Sequence, residues 1–135
     1  MKKAFIALLL LLTIVILCGC SGYVKSYSAT ILITSSFGDE ASMEFATFSG
    51  TYNFKLRRAG AAEHTLDLEG SLEEGEMNIY IGVNGEKELI YTVKGGETHD
   101  KTLTLDEKYD NESTVYIILE STGKCKNGDF ELEYN

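Results

Sequence analysis

The chain has no proline, no tryptophan and only two histidines in 135 residues, and each shortage removes a class of explanation. Without tryptophan, the strongest aromatic platform for a sugar ring is missing, and the eight tyrosines fall mostly where strand packing accounts for them. His64 and His99 stand in no zinc-ligand spacing with cysteine or with each other. No Gly-x-Ser-x-Gly elbow accompanies them, so a Ser-His-Asp or Cys-His centre has raw materials but no signature. Basic residues are also scarce: 12 Lys and Arg face 21 Asp and Glu, giving a formal charge of −9. Such a surface repels nucleic acid and anionic headgroups, and a cationic macromolecule is the easier partner. Long apolar runs are confined to one place, Ala4 to Leu17, broken only by Thr13.

That run follows Lys2 and Lys3 and ends in Leu17-Cys18-Gly19-Cys20. It fits a secretory signal better than a transmembrane helix, which needs roughly 20 apolar residues; the alternative is an uncleaved signal anchor with Ala4 to Gly22 spanning the bilayer. The ending resembles the lipobox of bacterial lipoprotein signal peptides. Cys20, with the small Gly19 before it and Leu17 three back, fits the cleavage and lipidation position; Cys18, preceded by bulky Leu17, does not. The resemblance implies a signal peptide at 1–19, cut between Gly19 and Cys20, and a lipidated N-terminus with a short tether at 20–26. One domain at 27–135 follows. At least two acyl chains on Cys20 would hold the protein on the extracytoplasmic face of the membrane, since each buried methylene contributes about 0.8 kcal/mol. Inner- or outer-membrane sorting stays open. With Cys18 removed and Cys20 acylated, Cys125 is the last thiol, and it reads as buried near the final strand rather than reactive.

Beyond the leader the pattern is all-β. No stretch sustains helical apolar periodicity beyond two turns, while alternating runs rich in Ile, Val, Thr, Tyr and Phe recur between Gly, Asn, Asp and Glu. Strands are expected at 27–35, 42–48, 51–58, 63–69, 76–83, 87–94, 101–106, 113–121 and 129–134. A Greek-key or jelly-roll-like two-sheet β-sandwich follows, with a small closed barrel as the alternative. Parity places Tyr52 with Phe54 and Leu56, Leu66 with Leu68, Leu103 with Leu105, Val115 with Ile117 and Leu119, and Phe130 with Leu132 and Tyr134 inside. Tyr116 and Ile118 point the other way, which marks 113–121 as a central strand covered on both faces. Around Asn84-Gly85 a three-residue loop is expected, pairing Ile79 with Leu89, because a two-residue turn would set Glu88 opposite Ile81 on the apolar side.

The arrangement of Phe48-Ser49-Gly50, the stretch from Leu66 to Gly75, the Asn84-Gly85 turn and Gly128-Asp129-Phe130 resembles small surface lipoproteins of Gram-positive bacteria. That resemblance implies an exported β-sandwich and transfers no catalytic residue. The candidate recognition residues are loop residues, Tyr109 and Asp110 in the acidic stretch 106–112 and Phe37 beside Gly38-Asp39-Glu40. The 106–112 carboxylates lack calcium-loop spacing and carry Lys108 among them, so no metal or other cofactor is expected beyond the lipid on Cys20. The expectation is a non-catalytic binding module for a protein, peptide or glycan. An acidic inhibitor or decoy for a cationic protein is the alternative, and a small cell-envelope hydrolase is the third.

Overall fold

The computed structural model describes residues 23–135; the signal segment, Cys18 and Cys20 lie outside the described residues. Seven antiparallel strands run in the order β1 (Ser26–Thr30), β2 (Ile33–Phe37), β3 (Glu40–Arg57), β4 (Thr65–Val83), β5 (Glu86–Lys94), β6 (Thr98–Thr104) and β7 (Thr114–Tyr134). A 3-10 turn at Glu107–Tyr109 precedes β7. The sheet is ordered β1-β3-β7-β4-β5, with β2 added to β3 and β6 added to β4. No pairing joins the β1/β2 edge to the β5/β6 edge, so the sheet folds over without closing into a barrel.

Nine strands were expected and seven are found among the described residues: the expected strand 27–35 divides into β1 and β2, while β3, β4 and β7 each join two expected strands by running through a bend instead of stopping at it. The pairing register of β3 with β7 shifts between Phe48 and Thr51, and that of β4 with β7 shifts between Glu74 and Glu76. Gly50 and Gly75 sit at these points with φ of 128° and 100°, a region closed to most side chains. A Cβ on Gly75 would lie 2.8 Å from Cys125 Sγ, so the bend is also a close crossing of β4 over β7. Each long strand therefore serves two layers. Layer A holds β2, β3 at 40–48, β7 at 125–134, β4 at 65–74 and β6. Layer B holds β3 at 51–57, β7 at 114–122, β4 at 76–83 and β5, with β1 beside the β3 bend.

The inward residues of both layers form one core. Met43, Phe45, Leu66, Leu68, Phe130 and Leu132 come from layer A, and Phe54, Leu56, Met77, Ile79, Ile117 and Leu119 from layer B. Burying each such side chain contributes about 1.5–3 kcal/mol. Strand β7 is central, paired with β3 on one side and β4 on the other, and Ile118 is buried on its outer face as parity required. Cys125 is fully buried in mid-strand, its Sγ 3.4 Å from the Glu76 carbonyl, and burial raises its pKa.

The β4–β5 hairpin departs from the expected register. Val83 pairs with Glu86 and Ile81 with Glu88 around a two-residue Asn84-Gly85 turn, whose φ values of 55° and 81° suit a type I′ hairpin. A bulge at Ile90 then restores the apolar parity, so Ile79 faces Tyr91 and Met77 faces Val93. Leu89 is left outward, opposite Tyr80 and 51% exposed. Glu88 is tolerated at the inward margin because Tyr109 Oη donates to its carboxylate at 2.8 Å and Lys108 Nζ lies 2.6 Å away.

Candidate functional site: an acidic outer face

Strand parity decides what layer A shows to solvent. With 41, 43, 66, 68, 130 and 132 inward, the outward residues line up across five strands in three rungs. The first rung is Ser35, Ser42, Glu131, Glu69 and Asp100. The second is Phe37, Glu40, Glu133, Asp67 and Thr102, and the third is Ile33, Glu44, Asp129, Ser71 and Thr98. Eight carboxylates share this face, and no Lys, Arg or His stands at a rung position.

Like charges meet directly in five cross-strand pairs: Glu40–Glu133, Glu44–Asp129, Glu131–Glu69, Glu133–Asp67 and Glu69–Asp100. Opposed like charges destabilise a sheet. Glu69 and Glu133, each opposed by two acids, have raised pKa values. Asp100, then Glu131, push the Glu69 carboxyl above the ordinary carboxylate value. Glu133 is raised by loss of solvent and by Asp39, Glu40 and Asp67. Part of the face sinks into a groove of about 560 Å³ lined by rung residues from all five strands. Phe37 stands on its rim, 89% exposed, and Ser35, Ser42 and Thr102 add hydroxyls.

The loop residues singled out from sequence separate here. Phe37 is the last residue of β2, not a loop residue, and it does border the groove. Tyr109 is buried at 8% exposure, tucked under the sandwich edge, and offers no exposed ring. Its burial, together with the Glu88 bond, pushes the phenol pKa up to about 12. Asp110 faces His64, with Oδ1 2.9 Å from Nδ1, and its carbonyl accepts from Arg58. His99 lies within β6 and points inward, its Nδ1 2.5 Å from Tyr91 Oη and its Nε2 3.0 Å from Glu97. In the 106–112 stretch, Asp106 is spent capping the 3-10 turn at Lys108 N. Among the described residues no group of three or more His, Cys, Asp or Glu is placed to hold a metal ion.

The acidic face escaped sequence reading because its members come from five separate strands. The visible trace is period-two acid alternation, Asp67-x-Glu69 and Asp129-x-Glu131-x-Glu133, which local reading treats as ordinary solvent-facing positions.

No family model matches the chain, and no curated protein matches it. Among solved structures it is similar to a family 29 carbohydrate-binding module complexed with cellulohexaose, at 18% identity over 84% of this chain and 78% of that one, TM-score 0.46. It is also similar to Xylanase10C from Cellvibrio japonicus in complex with xylopentaose (14% identity, 86% and 26% covered, TM-score 0.46). A family 4 carbohydrate-binding module gives 12% identity, 80% and 81% covered, and a TM-score of 0.40. No residue role is carried over from them.

Proposed function

We propose that the protein is a non-catalytic binding module, held outside the cell by lipid on Cys20, whose acidic face takes an extended glycan bearing free amines. The observation that carries this reading is the set of five opposed carboxylate pairs beside a groove rimmed by the exposed Phe37 ring. Thr102 Oγ1 and Asn135 Nδ2 donate to Asp67, but no cation faces the opposed carboxylates from a rung position, and a ligand that supplies positive charge explains a surface that costs the fold stability. Neighbouring strands lie about 4.8 Å apart, close to the length of one pyranose unit. A chain of amino sugars laid across the strands meets the first rung's Glu131, Glu69 and Asp100 in succession. Carboxylates and the Ser and Thr hydroxyls accept from sugar hydroxyls, and Phe37 offers a ring face.

Titration calorimetry with glucosamine oligomers and their N-acetylated counterparts tests the reading. The amine form should bind and the acetylated form should not. Phe37→Ala should weaken binding, and combined Glu69→Gln and Glu131→Gln should nearly abolish it. A second reading, capture of a cationic polypeptide, is favoured by the absence of any cation on the rungs. Under it, oligolysine binds, falls off steeply with salt, and ignores Phe37→Ala. Binding that survives the double Gln substitution would remove the acidic face from either reading.

A further inference from the structure

The outer face of layer B has the opposite character. Its rungs read Lys55, Tyr116, Gly82 and Lys87, then Asn53, Ile118, Tyr80 and Leu89, then Thr51, Glu120, Asn78 and Thr92, with Arg57 and Lys94 at the two ends. Four cations stand there against two carboxylates, Glu120 and Glu76, and Glu120 is held by Lys87 at 2.8 Å. In a chain of charge −9, this is a marked segregation of charge between the two faces.

The chain enters the fold across this cationic face. The Tyr23 ring lies on Gly82, where a Cβ would come within 2.6 Å of it, with its centroid 4.8 Å from that of Tyr116. Tyr23 Oη donates to the Glu86 carbonyl at 2.8 Å and accepts from Gly85 N at 3.1 Å. Val24, 70% exposed, is fixed through its carbonyl by Asn53 Nδ2 at 3.2 Å. Tyr23 is therefore packed on the domain, although it lies inside the stretch read from sequence as a tether. Cys20 is three residues upstream, and three extended residues reach about 10–11 Å at most.

We infer that the outer face of layer B is the membrane-contact surface, resting on anionic phospholipid headgroups and turning the acidic face of layer A away from the bilayer. The inference rests on lipidation of Cys20. Three features converge on the one face: the short reach from the anchor, the Lys and Arg excess that anionic headgroups attract, and tyrosines with exposed Val24 and Leu89 suited to the interface. The opposite orientation would press eight carboxylates against like charge. The consequence for function is that the groove is presented outward, toward the envelope or the surroundings.

The test uses the full-length protein, processed in a bacterial host and reconstituted into vesicles with and without anionic phospholipid. Fluorophores are placed at Lys55→Cys or Leu89→Cys on one face and at Ser71→Cys or Thr98→Cys on the other; buried Cys125 stays unlabelled. Headgroup-attached quenchers should quench the labels at 55 and 89 several-fold more than those at 71 and 98. The difference should shrink with salt, without anionic lipid, or when Lys87→Gln and Lys94→Gln are added to the Leu89→Cys chain. Equal quenching on both faces of a membrane-bound protein would overturn the orientation while sparing the anchor. So would labels at 55 and 89 shielded from aqueous quencher but untouched by the lipid quencher, as in pairing of two copies. A protein that never enters the membrane fraction would overturn both.

Discussion

Replacing Glu69 by Gln should make the protein more stable while weakening its proposed binding. Glu69 faces Glu131 on one side and Asp100 on the other, so this neutral, near-isosteric change deletes two of the five opposed acid pairs. Glu133→Gln likewise deletes two, with Glu40 and Asp67, whereas Asp100→Asn deletes one. Screened pairs on an exposed face of a domain this size should each shift Tm by about 1–2 °C at low salt. The ladder of effects is therefore set by the register: Glu69→Gln and Glu133→Gln should raise Tm by about twice as much as Asp100→Asn. Double variants sharpen it. Glu69→Gln with Glu133→Gln removes four separate pairs and should be additive, while Glu69→Gln with Asp100→Asn shares one pair and should give no more than Glu69→Gln alone. Thermal unfolding followed by circular dichroism at neutral pH, at low and at high salt, measures all of these. A fall in Tm for Glu69→Gln, or gains unaffected by salt, would refute the repulsion on which the site assignment stands.

Two further predictions follow from the same structure. Because Glu69 and Glu133 hold their protons more tightly folded than unfolded, stability should rise as pH falls from neutral toward the ordinary carboxylate value of 4.5. Glu88, lowered by its bonds from Lys108 and Tyr109, acts in the other direction, and its contribution should be lost only below that value. A Tm-against-pH curve with its maximum on the acidic side of neutrality, flattened by Glu69→Gln, is the expected result; a steady decline from neutral pH would contradict it. Separately, Gly128 lies beneath the Phe45 ring, where a Cβ has no room, so Gly128→Ala should destabilise by about 1–3 kcal/mol through overpacking in denaturant titration. An unchanged midpoint would show that the ring moves aside freely.

Period-two alternation carried much of the fold from sequence. It placed Phe54, Leu66, Ile117, Phe130 and their neighbours inside and marked β7 as central, because side-chain direction in a strand is a local property. It failed where the chain could either turn or bend: Phe48-Ser49-Gly50 and Gly75 look like strand ends, yet the ladder continues through them once β7 lies alongside. The hairpin failed for a related reason. Glu88 opposite Ile81 looks forbidden until Tyr109 and Lys108, from beyond β6, arrive to bind it. Tyr109 went from exposed platform to buried anchor by the same contact.

The sequence alone determined the leader's resemblance, the strand-forming character of 27–135 and the side-chain alternation of most strands, all set by composition and spacing over a few positions; in β5 the bulge at Ile90 reversed it. Only the tertiary structure decided which strands lie side by side. That pairing joins acids some ninety residues apart into three rungs on one face, gathers lysines and an arginine on the other, and sets the chain's entry across the cationic side. Charge on a sheet is a property of cross-strand register, and register is non-local.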